Sequence, residues 1–350
     1  MTVTIKDVAL KAGVSPSTVS RVIAGSGRIS AGTIERVRHA MTALGYHPNR
    51  TAQSLVKRTT DTIGIVLPRP ADELFLNTFF PELIRGIVAR AARAGYDILM
   101  TAGTTEQEEV EAMQRMVRSR RVDGMIVLRS RLGDPIIRLL EEERFPYVLI
   151  GRNGDMTNTL SVDTDNVKAS YDATTHLIAQ GHQWIGFVSG PSNLMVSRDR
   201  LEGYHKAMTD AGLTVRQDWI VEGEFLQESG YRAMSYIMGL PHPPTALVII
   251  DDVVAFGVMR GLTELGYRIP EDLCLVSFNN IPLAELASPP LTSVDIGIYQ
   301  LGYTASQLLL EYMTTGTPSI HRHIVPHRLI VRESSIGAEI EPSPASSRTL

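Results

Sequence analysis

The sequence predicts two dissimilar parts: an all-α headpiece of helix-turn-helix type, and an α/β body of two lobes, each a doubly wound parallel sheet. Three observations carry this. Residues 1–60 hold nine basic side chains against two acidic ones, whereas the rest of the 350-residue chain holds 25 against 36. The first 45 residues or so read as short amphipathic helices separated by capping residues. From Thr62 onward, short apolar runs alternate with helical periodicity, the pattern of βαβ repetition.

In the headpiece, Thr4 precedes apolar residues at Ile5, Val8, Ala9 and Ala12, with Asp7 placed for a capping box and Gly13 as a stop. Ser15 and Pro16 form an N-cap and first-turn pair. Val19, Val22 and Ile23 then give a second short helix an inward stripe, leaving Ser17, Thr18 and Arg21 outside. A third helix carries Ile34, Val37, Met41 and Leu44 after Ser30, and Gly45 with Pro48 ends it. Three helices in so short a span fit a helix-turn-helix unit, whose second helix enters the DNA major groove. A basic module on an acidic body is the electrostatic footprint of a polyanion binder.

The body opens with a strand in TIGIVLP, a helix near 79–94, YDILMTA, a helix near 106–119, GMIVLR, a helix near 134–143, and YVLIG. A second series runs LSVD, helix 166–180, WIGFVSG, helix 198–212, WIVEG, helix 228–239, TALVIID, helix 252–266 and LCLVSFN. Ligands of open parallel sheets collect beyond the carboxyl ends of the strands. Arg200, Asp251 and Asn279 follow three such ends. Together they offer the donors and acceptors that paired sugar hydroxyls need, and Phe225 offers a ring face for a pyranose.

The stretch TIKDVALKAGVSPSTVSRVIAGSGRIS, then ERV at 35–37 and LGYHPNRTAQSL at 44–55, resembles the headpiece of LacI/GalR-type transcriptional regulators. That resemblance implies that Pro16, Ser17 and Arg21 read operator bases. Ser15, Thr18, Ser20 and Asn49 would hold phosphates, and Thr4, Arg50, Ala52 and Gln53 would complete the DNA-contact set. Arg21 is the strongest base reader, because a guanidinium bonds a guanine edge bidentately. Residues 48–60 would be a hinge helix and linker that fold when two copies meet in the minor groove, with Leu55 as the wedge. The partners implied are a pseudo-palindromic operator duplex, a second copy of the chain and a small sugar effector.

The same resemblance makes the body periplasmic-binding-protein-like. It implies an effector- and dimer-forming domain at 61–333 after a 1–47 headpiece, with lobe 1 at about 61–159 and 291–320 and lobe 2 at about 160–290 and 321–333. Residues 334–350, rich in Ser and Pro, read as a disordered tail. The implied effector residues are Phe79, Phe80, Asp163, Arg200, Phe225, Asp251 and Asn279, with Leu74 and Phe75 also in reach of the pocket. Asp251 stands where the family often has asparagine, and Asn279 where it often has aspartate, so the pair looks exchanged. The segments RPADELFLNTFFPELIRGI, SFNNIPLAELASPPLTSVDI and IVPHRLIVRESS look like the maltose-operon repressor branch, which makes an α-glucoside the preferred effector.

Other classes find little support. The single cysteine, Cys274, makes no internal disulfide, and the N-terminal residues carry no export signal, so a cytoplasmic, nucleoid-associated protein is expected. No apolar run approaches the roughly 18 residues of a membrane span. His321, His323 and His327 lie in an alternating stretch without carboxylate or cysteine company, so no metal is expected. No P-loop, dinucleotide fingerprint or G-x-S-x-G elbow follows a strand. A Ser189, His205 and Asp251 set is too generic to suggest an enzyme, and no cofactor is implied. A transport receptor would share the two lobes but not the basic headpiece.

Overall fold

The computed structural model describes residues 3–25, 28–47, 59–68, 74–75, 77–128, 130–154, 159–318 and 320–336. They divide into two compact units, Met1–Asp61 and Thr62–Leu350.

The first unit holds α1 (Ile5–Ala12), α2 (Pro16–Ile23) and α3 (Ala31–Leu44). The Thr4 amide and hydroxyl both donate to Asp7 Oδ2, at 2.8 and 2.7 Å, which closes the start of α1. Gly13 and Gly45 end α1 and α3 in the left-handed conformation. Val8, Ala9, Ala12, Val19, Val37 and Ala40 form a core small enough to need helix caps as well as burial.

The second unit has two six-stranded sheets. Sheet one is built from β1 (Thr62–Leu67), β2 (Asp97–Ala102), β3 (Gly124–Val127), β4 (Tyr147–Ile150), β5 (Ser161–Thr164) and β11 (Arg322–Val325), every pairing parallel. Its helices are α4 (Phe79–Arg93), α5 (Glu106–Arg118), α6 (Pro135–Glu142) and α12 (Ile298–Thr315). Sheet two contains β6 (Ile185–Ser189), β7 (Ile220–Glu222), β8 (Ala246–Ile249), β9 (Cys274–Phe278), β10 (Thr292–Asp295) and β12 (Arg328–Ile330). Only β10 with β12 is antiparallel. Around it lie α7 (Asn166–Ala179), α8 (Met195–Asp210), α9 (Gln227–Met238), α10 (Asp252–Glu264) and the short α11 (Pro282–Leu286).

Strands such as β6 and β9 are buried along their whole length, as parallel strands covered on both faces must be. In lobe one, α4 and α12 approach backbone to backbone. A Cβ on Gly302 would lie 2.0 Å from the Leu83 carbonyl oxygen, so only glycine fits there.

The strand pairings correct the expected lobe boundaries. LSVD pairs with β4 and β11, so β5 belongs to lobe one rather than opening lobe two. The segment near 291–294 pairs with β9 and β12, so β10 stays in lobe two. Residues 322–325 pair with β5, so β11 lies in lobe one. The chain therefore crosses between lobes at residue 165, at 296–297 and at 326–327. Alternation along one segment fixes its type but not its neighbour, which explains the misassignment.

Two local expectations also change. The helix expected at 198–212 starts at Met195 and ends at Asp210. The tail does not begin at 334: Ser334 and Ser335 are fully buried, where Ser334 Oγ donates to the Leu275 carbonyl and accepts from the Thr292 amide. Residues 337–350 lie outside the described residues.

Candidate functional site

In the headpiece, Ser15 caps α2, accepting from the Thr18 amide at 3.2 Å and lying 2.8 and 2.9 Å from the hydroxyls of Ser17 and Thr18. The cap leaves Pro16, Ser17, Ser20 and Arg21 exposed on one face, while Val19, Val22 and Ile23 turn to the core. Thr4 is exposed at the start of α1. This is the polar N-terminal face that a helix-turn-helix unit presents to base edges. Asn49, Arg50, Ala52, Gln53 and Leu55 lie outside the described residues.

In the body, a cavity of about 570 Å³ opens between the lobes, and its lining includes all seven expected effector residues. Phe79 and Phe80 come from the first turn of α4, their rings edge to face with centroids 5.1 Å apart. Asp163 comes from β5, Arg200 from α8, Phe225 from the loop after β7, and Asp251 and Asn279 from the ends of β8 and β9. Leu74 and Phe75 do not join them: Leu74 is buried in the core and Phe75 is half exposed.

Arg200 is almost wholly buried, and its Nε donates to Asn166 Oδ1 at 3.0 Å. Its Nη1 donates to the Ile250 carbonyl, and the guanidinium lies 4.2 Å from the centre of the Phe278 ring. Burial lowers its pKa to about 10, against the opposing pull of Asp251, Asp163 and other carboxylates. It does not pair with Asp199 or Glu202, its neighbours in sequence. Asp199 is instead held bidentately by Arg152, which reaches from lobe one.

Asp251 has two duties. Its Oδ1 caps α10, accepting from the amides of Val253 and Val254 at 2.7 and 3.2 Å. Its Oδ2 accepts from the side-chain amides of Asn279, at 2.9 Å, and Asn77, at 3.2 Å, so the exchanged Asp and Asn are partners. Asn279 has a φ of 101°, a conformation asparagine tolerates better than most residues. Burial pushes the Asp251 carboxyl up from its ordinary range and takes that of Asp163 to about 6. Asp163 is steadied by Arg322 Nη2 at 3.2 Å.

The cavity also uses residues that were not anticipated. Arg152 and Asn77 both bond across the cleft, as does the Met195 amide, which donates to the Ser130 carbonyl at 3.1 Å. Arg152 was findable, because it follows β4 by two residues and obeys the same strand-end rule as Asp251. Asn77 was not, since it sits in the loop before α4 and its partner is 174 residues away. His327 pairs with Asp172 Oδ2 at 2.9 Å.

Both units have known counterparts. Residues 4–49 match the pattern of bacterial regulatory proteins of the lacI family, and residues 174–335 match the periplasmic binding protein-like domain. The chain is 37% identical over 335 residues to the HTH-type transcriptional regulator MalR of Streptococcus pneumoniae, covering 94% of this chain and 99% of that one. Among solved structures it is similar to a transcriptional regulator CelR–cellobiose complex, with 32% identity and a TM-score of 0.75 over 95% of this chain and 99% of that one. A lac repressor dimer bound to operator and the anti-inducer ONPF superposes with a TM-score of 0.84 at 27% identity, covering 96% of this chain and all of that one. With both units matched, and with a relative of that identity along almost its full length, the chain belongs to the lacI family of bacterial regulatory proteins.

Proposed function

We propose that this chain is a sequence-specific DNA-binding repressor of sugar-utilisation genes, with operator binding controlled by a small sugar in the interlobe cleft. An α-glucoside such as maltose or a maltodextrin is the preferred class. The observation that carries this reading is the convergence of Phe79, Phe80, Asp163, Arg200, Phe225, Asp251 and Asn279 on one cavity. Buried polar groups with fixed geometry beside aromatic faces are what a pyranose requires. The likeness to the probable maltose operon transcriptional repressor malR of Staphylococcus areus supports the maltose branch, and the likeness to CelR in complex with cellobiose supports a disaccharide.

On this reading the protein acts in the cytoplasm as a homodimer on a pseudo-palindrome. One headpiece presents too few base contacts for a specific site, and two-fold symmetry supplies the second half-site. Residues 48–60 form the hinge, with Leu55 as its wedge. Sugar bound by both lobes changes their closure, so the hinges no longer pair over the minor groove. A thermal-shift screen of mono- and oligosaccharides, repeated with operator-like DNA, tests the reading. Stabilisation by an α-glucoside, reduced when DNA is present, is expected. Indifference to every α-glucoside would remove the maltose assignment.

A further inference from the structure

We infer that Asn166 is a positioning residue of the effector site, whose side-chain amide aims the Arg200 guanidinium and ties it to Asp163 across the crossover between the lobes; this deepens the sugar reading and rests on it for what Arg200 is aimed at. Asn166 is the first residue of α7, just past the crossover at residue 165, and it is buried. Asparagine near a helix start commonly serves as the cap. Here that duty is already met, because Asp165 accepts from the Lys168 amide at 2.9 Å.

The contacts of the Asn166 amide leave it a single orientation. Nδ2 donates to Asp163 Oδ1 at 3.1 Å and to the Thr164 carbonyl at 3.4 Å, both in lobe one, while Oδ1 accepts from Arg200 Nε at 3.0 Å, in lobe two. Turned over, the amide would set its oxygen against a carboxylate and its NH2 against a guanidinium. The lobe-one end is itself anchored. Thr164 Oγ1 donates to the Val325 carbonyl at 2.8 Å, and Arg322 Nη2 lies 3.2 Å from Asp163 Oδ2.

An amide does here what a carboxylate cannot. Arg200 is almost wholly buried, yet the groups bonded to it, Asn166 Oδ1 and the Ile250 carbonyl, are both neutral. They fix the plane of the guanidinium without neutralising its charge. Nε and Nη1 are taken, and Nη2 bonds to none of the described residues, in a cavity that Arg200 and Asn166 both line. A charge-assisted bond from that nitrogen to a ligand is strong in proportion to how well the donor is held. Because Asn166 bonds to both lobes, a shift of one lobe against the other reaches Arg200 through it.

Two measurements on the full-length protein test this. The first titrates maltose by calorimetry into wild type, Asn166→Ala, Arg200→Ala and the double variant. Asn166→Ala should weaken maltose about tenfold or more in the wild-type background, the scale of a hydrogen bond to a charged group, and less than about twofold when Arg200 is already alanine. The same loss in both backgrounds, or no loss in either, would overturn the inference. The second needs no ligand. In Asn166→Asp the introduced carboxyl still accepts from Arg200 but opposes the Asp163 carboxylate, around which Arg322, Arg152 and Asp199 are the other charged groups. Two carboxyls in contact share one proton more readily than both ionise. Compared with wild type at each pH, the urea midpoint of Asn166→Asp should be low at pH 8 and regain most of the deficit at pH 5, whereas Asn166→Ala should keep its deficit at both. A deficit in Asn166→Asp that does not change with pH would show that the amide does not tie Asp163. If wild type binds neither maltose nor cellobiose and the recovery is still seen, the sugar reading falls and the tie stands.

Discussion

Arg200 is held by Asn166, the Ile250 carbonyl and the Phe278 ring, so its orientation is set before a ligand arrives. Arg200→Ala should weaken sugar binding by about 1.5–3 kcal/mol, the range of hydrogen bonds to charged groups, while operator affinity without sugar stays unchanged. Calorimetry and DNA anisotropy on the same preparation check this, and a folded mutant with wild-type sugar affinity would place the effector elsewhere. Asp252 illustrates a different residue-level effect. It is fully buried, accepting from Ser293 Oγ at 2.7 Å, from the Ile281 amide at 2.8 Å and from Ser277 Oγ. Burial nevertheless pushes its pKa to about 7. A carboxyl with a raised folded pKa contributes stability that is complete below its ordinary value near 4 and is lost as pH rises through 7. The melting temperature should therefore fall between pH 5 and pH 8, and Asp252→Asn should flatten that slope; parallel slopes would show that Asp252 does not titrate there. Residues just beyond strand ends, such as Asp251 after β8 and Asn279 after β9, were legible because the parallel sheet dictates where ligands gather. Asn77 was not, because its function depends on a partner from the other lobe.

Each of the three helices in the headpiece announces itself by a cap and a stripe, and α2 shows what those caps are for. Ser15 fixes the first turn, and that places Arg21 on the exposed face. Arg21→Ala should cost about 1–3 kcal/mol on the preferred operator and relax selection at one base pair, whereas Ser15→Ala should lower headpiece stability by about 1 kcal/mol. Binding to a randomised-operator library separates the two outcomes, and an Arg21→Ala protein with unchanged base preference would contradict the assigned role. In the body, strand type is readable from apolar runs but strand partners are not, so the observed lobes of β5, β10 and β11 differ from the expected ones. Partner choice follows from the crossovers, and Gly297 is one of them. Its φ is +66°, and a Cβ there would lie 2.9 Å from Val325 Cγ1, in the neighbouring crossover strand. Gly297→Val should destabilise the body by about 1–3 kcal/mol through strain and crowding, read as a lower urea midpoint. A wild-type midpoint would show that the crossover relaxes freely.

At the scale of the whole molecule, the excess of basic residues lies in the first 60 positions and the excess of acidic ones in the remainder, a division visible from composition alone. On the proposed function it directs the polyanion to the headpiece, and operator affinity is expected to fall steeply with salt. In the proposed function, residues 48–60 carry the coupling between sugar and DNA. Coupling of this kind is reciprocal: the factor by which sugar changes operator affinity equals the factor by which operator changes sugar affinity. The most direct test titrates a selected palindromic duplex into the protein by fluorescence anisotropy, with and without saturating maltose, and then titrates maltose with and without the duplex. Both factors should agree and correspond to about 1–3 kcal/mol of weakening. An operator affinity that is the same in the empty and the sugar-saturated protein would contradict the account.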